Sequence, residues 1–146
     1  LAELNRRLSK LDDATADKAL DRALQAGAAP IVAKARSLTP RSSSAVGSRG
    51  RGHAADHIRA KLVDGPSRNP AILVGPQLVE QTPARSGNAQ QAAVPSFAYL
   101  AFVEYGVPSR GIPAIAPLRR AADSEFRRAA RSFHRALKRE IDVALR

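Results

Sequence analysis

The sequence predicts an α+β fold in which N-terminal helices and a long C-terminal helix pack on a small antiparallel sheet. Three observations carry this expectation. Apolar residues step by three and four within residues 14–38 and again within residues 118–144, the spacing of one helix face. Between them, Ile58, Ala60 and Leu62 alternate with Arg59 and Lys61, and the apolar run 71–74 follows a turn-forming stretch, which is the pattern of a hairpin. The resulting order of helix, helix, small sheet, short helix and long helix is that of an α+β chain.

Leu1, Leu4, Leu8 and Leu11 recur at helical spacing, with Arg6, Arg7 and Lys10 on the other side, so the chain opens with a short amphipathic segment. Asp12 or Asp13 is placed to cap the next helix, and Asp17 and Asp21 lie near its positive end. That helix, residues 14–38, carries the stripe Leu20, Leu24, Gly27, Ala28, Ile31, Ala35 and Leu38. Gly27 and Pro30 predict a kink or break across residues 26–30, because proline lacks the backbone donor and clashes one turn back. Thr39-Pro40 ends the helix, since a residue before proline disfavours the helical region.

Residues 41–52 are serine, glycine and arginine and predict a flexible basic loop. The hairpin strands follow, separated by turn chemistry in residues 64–70 and closed by Gly75-Pro76. Residues 78–82 are a candidate third strand, and residues 83–95 a second projecting loop. Residues 97–105 read as a short helix, with Gly106 suited to the left-handed position past its end. Pro108, Gly111 and Pro113 predict an extended segment, and Pro117 suits the first position of the last helix, where its missing donor costs nothing.

The last helix is the clearest element. Leu118, Ala122, Phe126, Ala129, Phe133, Leu137, Ile141 and Ala144 form one apolar stripe, while Arg120, Arg127, Arg128, Arg131, Arg135, Lys138 and Arg139 fall largely off it. At roughly 30 residues it would reach about 45 Å. A helix of that length is expected to outrun the core of a small domain, so that its surplus needs a partner.

At 146 residues, one compact domain spanning 1–146 is expected. Hydrophobic residues make up 44% of the chain but aromatics only 4%, which predicts a thin, alanine-rich core to whose stability partners contribute. The formal charge is +11, with arginine supplying most of the cations. Such a charge suits nucleic acid, an anionic membrane surface or an acidic protein partner. The absence of cysteine excludes disulfides and thiolate metal sites and fits a reducing cytoplasm. No apolar run approaches the roughly 20 residues that span a bilayer, so no membrane partner is expected. Residues 1–11 are charged throughout and do not read as a signal peptide. With no methionine anywhere, further residues are expected to precede Leu1.

Catalytic residue types do not cluster. His53 and His57, with Asp56 between them, have a helical ligand spacing, but they sit where a glycine-rich loop enters a strand and lack a third ligand. Ser42, Ser43 and Ser44 form no nucleophile elbow. Gly47, Gly50 and Gly52 lack the Lys-Ser/Thr ending of a phosphate loop. Glu104 has no second titrating group near it in sequence, and the structural reading is a pair with Arg110 or Arg119. No metal, no cofactor and no enzymatic activity are therefore expected. The arginines of the last helix allow an alternative, a basic nucleic-acid-binding module. Against it, Phe126 and Phe133 lie on the apolar stripe rather than among the cations, and no helix-turn-helix pattern stands out.

Residues 97–122 resemble a family. The step Glu104-Tyr105-Gly106, the loop 107–116, and Pro117-Leu118-Arg119-Arg120-Ala121-Ala122 are similar to the tail-completion, or head–tail joining, proteins of long-tailed bacteriophages. The alanine-rich helix ending in Thr39-Pro40 also matches. Val107 stands where that family often has threonine, and Leu118 where it often has an aromatic. The family's Thr-Gly step after the first helix is not evident in residues 41–52. The resemblance implies a non-enzymatic virion protein in the neck, assembled in the bacterial host cytoplasm, that forms a ring joining the capsid's portal vertex to the tail. Its implied partners are copies of itself, six in number, and adjacent neck, portal-side and tail proteins, with genomic DNA in passing contact. Rings need heterologous contacts that close under rotation. The candidate contact residues are Arg49, Arg51, Glu104, Tyr105, Gly106, Arg110, Pro117, Arg120, Arg127, Arg131 and Arg135.

Overall fold

The computed structural model describes residues 2–8, 11–41, 53–64, 70–76 and 96–145. The elements are α1 (Ala2–Leu8), α2 (Asp13–Leu38), a 3-10 turn (Ala54–His57), β1 (Ile58–Asp64), β2 (Pro70–Pro76), α3 (Ser96–Tyr105), a second 3-10 turn (Pro108–Arg110) and α4 (Pro117–Ala144). The fold is α+β, with helices packed on a two-stranded antiparallel sheet. The loop at 42–52, the candidate strand at 78–82 and the loop at 83–95 lie outside the described residues.

Asp12 starts α2, its Oδ2 accepting from the Thr15 N–H at 3.3 Å and the Thr15 hydroxyl at 3.0 Å. Thr39 ends it in an extended conformation, with its buried hydroxyl donating to the Ala35 carbonyl at 2.8 Å. Of the kink or break expected at residues 26–30, the break is absent: α2 is continuous through Pro30. Packing on α4 on both sides of the proline, at Gly27 and at Ala35, outweighs its local preference.

Helices α2 and α4 run antiparallel and form the spine. Arg22 meets Glu140 at 2.8 Å, Gly27 faces Phe133 and Ala129, and Ala35 packs with Ala121. A Cβ on Gly27 would stand 3.1 Å from the Phe133 Cβ, so any side chain there would need Phe133 to give way by a few tenths of an ångström. The buried positions confirm an alanine-rich interior in two clusters. One joins Ala19, Ala23, Ala136, Leu137 and Ile141, with Leu4 of α1 against it. The other joins Ala35, Ile58, Leu100 and Ala121, bringing α2, β1, α3 and α4 together.

Two expectations about α4 change. It is buried at intervals from Pro117 to Ile141, because α2, at 26 residues, nearly matches its 28. The surplus length expected of it is therefore not there. Phe126, assigned to the apolar stripe, is 69% exposed. The inward face of this half of α4 is Pro117, Ala121 and Ala129, small residues that let α2 approach, and Phe126 falls on its flank.

In the hairpin, Ile58 pairs with Pro76, Ala60 with Val74 and Leu62 with Ile72, so these share one face. Ile58 and Val74 turn that face to the core. Leu73 pairs with Lys61 on the other face and is exposed. Arg36 of α2 donates to the Ile58 carbonyl at 3.0 Å, tying the spine to the sheet.

Candidate functional site

The N-terminus of α4 lacks the usual means of satisfying its backbone. Its N-cap, Ala116, has no side-chain acceptor, and Pro117 has no N–H. The next two donors, at Leu118 and Arg119, are satisfied from α3. Residues Leu100, Val103 and Glu104 form the inward face of α3 by their three- and four-residue spacing. Glu104 is only 4% exposed, and its Oε2 accepts from the Leu118 N–H at 2.8 Å. Its Oε1 accepts from the Arg119 N–H at 3.2 Å and from Arg119 Nε at 2.9 Å. Arg119 Nη2 closes the loop on the Glu104 backbone carbonyl at 2.8 Å. A carboxylate at a helix N-terminus also meets the positive end of its dipole. Arg119 then covers the Tyr105 ring, 5.4 Å from its centroid.

The chain between the two helices is folded tightly over this clasp. The Val103 carbonyl accepts from Ile115 and Ala116 at 2.9 and 3.2 Å. Val107 and Ile112 exchange hydrogen bonds at 2.9 and 3.2 Å around the turn Pro108–Arg110, with Gly111 left-handed. The segment expected to be extended is thus a hairpin-like turn. Gly106 has φ +74°, and a Cβ there would lie 2.7 Å from the Ile112 carbonyl oxygen and 2.8 Å from the Ala114 nitrogen. Only glycine fits.

This braced corner holds large apolar side chains in solvent. Phe102 is 50% and Tyr105 70% exposed, and Ile112 and Ile115 are also exposed. Phe126 lies seven residues after Arg119 on the same side of α4, about 10 Å further along. Clustered exposed aromatics of this kind mark contact surfaces.

A second feature lies on the outer face of α4. Arg120, Arg127, Arg131, Arg135 and Lys138 recur at helical spacing, and all are exposed. None forms an ion pair with another described residue. Their neighbours do: Arg128 reaches Glu125 at 3.7 Å and Arg139 reaches Glu140 at 3.1 Å. Hydrogen bonds from Arg22 and Arg139 hold the Glu140 carboxyl below its ordinary range. Asp56 is also lowered: burial pushes it up, but the His53 N–H and the Arg41 guanidinium outweigh that.

The family profile described as "Bacteriophage HK97-gp10, putative tail-component" matches residues 2–106. The chain belongs to this family of phage tail components. No curated protein and no solved structure gave a significant match. The matched span of the tail component runs from α1 to Gly106, so it includes Glu104-Tyr105-Gly106 and stops before α4. Membership implies a structural part in the tail rather than catalysis. Among the described residues no group of His, Asp or Glu could hold a metal ion, and no helix is long and apolar enough to cross a membrane.

The candidate residues of the tail component divide between the two features. Glu104, Tyr105, Gly106 and Pro117 meet at the clasp, and Arg110 is exposed on its turn but does not reach Glu104, whose partner is Arg119. Arg120, Arg127, Arg131 and Arg135 form the outer row of α4. Arg49 and Arg51 lie outside the described residues. Sequence reasoning missed Phe102 and Phe126 as surface residues. The signal for Phe126 was the inward alternative Pro117-Ala121-Ala129, a run of small residues four and eight apart.

Proposed function

We infer that this tail component forms a ring at the capsid-proximal end of the tail, where it joins the tail to the portal vertex. The family membership supports a virion part, and the exposed aromatic corner carries the ring reading. Phe102, Tyr105 and Phe126 are costly to leave in water, and the Glu104 clasp fixes the backbone that presents them, so little ordering is needed on contact. A neighbouring copy, or an adjacent neck protein, covers this corner in the assembled particle. The six copies implied by the resemblance give each subunit two neighbours through unlike faces.

The test is particle assembly in host cells with and without the protein. The reading expects filled heads and separate tails to accumulate without it, and the chain to be found in purified joined particles by mass spectrometry. Normal yields of joined, infectious particles in its absence would reject it.

A further inference from the structure

We propose that the arginine row on the outer face of α4 docks on an acidic row of α2 in a second copy of this chain. The proposal rests on the ring reading above and assigns that ring its subunit contact. Arg127, Arg131 and Arg135 stand four residues apart, so they form a line with steps of about 6 Å. Asp13, Asp17 and Asp21 of α2 stand at the same steps. Asp13 and Asp17 are exposed and Asp21 half-buried, and none of the three has an ion pair among the described residues. Each row sets like charges at i,i+4, an arrangement that destabilises an isolated helix by a few tenths of a kcal/mol per pair.

The two rows cannot satisfy each other within one subunit. Because α2 and α4 are antiparallel and Arg22 is level with Glu140, Asp17 is level with the far end of α4, beyond the arginine row. Between subunits the rows are opposite in charge and match in number, spacing and inclination. They lie on different surfaces, so the contact is heterologous and each copy keeps one row free for the next. Duplex DNA would neutralise the arginines but leave the aspartates unpaired and repelled by phosphate. A second copy satisfies both rows, which is why it is the occupant favoured here.

The chain contains no cysteine, so thiols can be placed without background. Asp17→Cys and Arg131→Cys are prepared singly and together, in the full chain at low salt, and treated with a short bis-maleimide. Mixed single variants should give the 17–131 product in excess over either like pair, and the double variant a ladder of multimers. Arg131→Glu should weaken assembly by about tenfold, and adding Asp17→Arg to the same chain should restore most of it. Both positions of exchange are on the surface, so folding is not at stake. A closed wild-type oligomer without 17–131 coupling would overturn this docking and leave the ring. Coupling whose ladder never closes would keep the docking and overturn the ring. A wild-type chain that stays monomeric and uncoupled would overturn both. Salt-sensitive duplex binding abolished by Arg131→Glu, with no coupling, would replace the second copy by DNA.

Discussion

Replacing Glu104 by alanine should be among the most damaging single changes outside the apolar core. The buried carboxylate serves two backbone donors at the start of α4, at 2.8 and 3.2 Å, and one guanidinium N–H at 2.9 Å. Losing a helix cap costs about 1 kcal/mol, and orphaning a second donor at a half-buried site about 1 more. The Arg119 interaction is discounted, because that side chain is 59% exposed, and adds up to about 1 kcal/mol. The expected total for Glu104→Ala is therefore about 2–3 kcal/mol. For a chain of this size that corresponds to a fall in Tm of about 6–9 °C. Glu104→Gln keeps one acceptor oxygen but turns an amide donor toward other donors, and should cost about 1–2 kcal/mol. Urea titration measures both, and amide hydrogen exchange should quicken first at Leu118 and Arg119. If Glu104→Ala unfolds within about 0.5 kcal/mol of wild type, with those amides still protected, the carboxylate does not cap α4 and the reasoning fails.

Other outcomes follow from the same geometry. Gly106→Ala should cost more than about 2 kcal/mol, since it adds a backbone collision to a left-handed φ, whereas Gly111→Ala, with φ +64° and open space, should cost only about 1 kcal/mol; thermal melts of the pair check this contrast. Phe126→Ser should leave the melting curve within about 0.5 kcal/mol of wild type yet lower the yield of joined particles, read by electron microscopy. Glu140 has a folded-state pKa below its ordinary value of 4.5, so its stabilising contribution is complete above that value and is lost as pH falls below it through the folded-state pKa. The stability gap between wild type and Glu140→Gln should accordingly be present at neutral pH and close in acid, as followed by denaturation at a series of pH values.

Much of the architecture was legible because local chemistry and tertiary packing agree. Thr39-Pro40 as a stop, the alternation at Ile58, Ala60 and Leu62, and Pro117 at a first helical position each have one physical reading, and the structure follows it, while of the two candidate caps, Asp12 and Asp13, it selects Asp12. Where packing opposed local preference, the sequence misled. Pro30 lies within an unbroken helix because α4 supports both sides of it. The length of α4 looked unsupported because nothing in its own sequence reveals that α2 lies alongside. Phe126 fitted an apolar stripe, but an alanine face packs closer to a glycine-containing helix than a phenylalanine face does.

The clasp was half legible. A Glu-aromatic-Gly step before a proline-started helix drew notice, and Arg119 was one of two arginines set against Glu104. Which arginine, and the capping of two backbone donors fourteen and fifteen residues away, depend on the path of the intervening turn. That path hinges on Ala116 at φ 51°, Gly106 and Gly111, and an alanine gives no signal of a left-handed conformation. The cations of α4 were visible off its apolar stripe, but an acidic row on α2 was not singled out, and that the two rows are out of register within one subunit required the antiparallel pairing of the helices.

An image of the joined particle at side-chain resolution bears most directly on the claim that this chain serves by contact. A closed ring between portal vertex and tail is expected, with Phe102, Tyr105 and Phe126 covered by a neighbour and α4 of each copy against α2 of the next. Finding the chain absent from the particle, or present with that corner open to solvent, would contradict it.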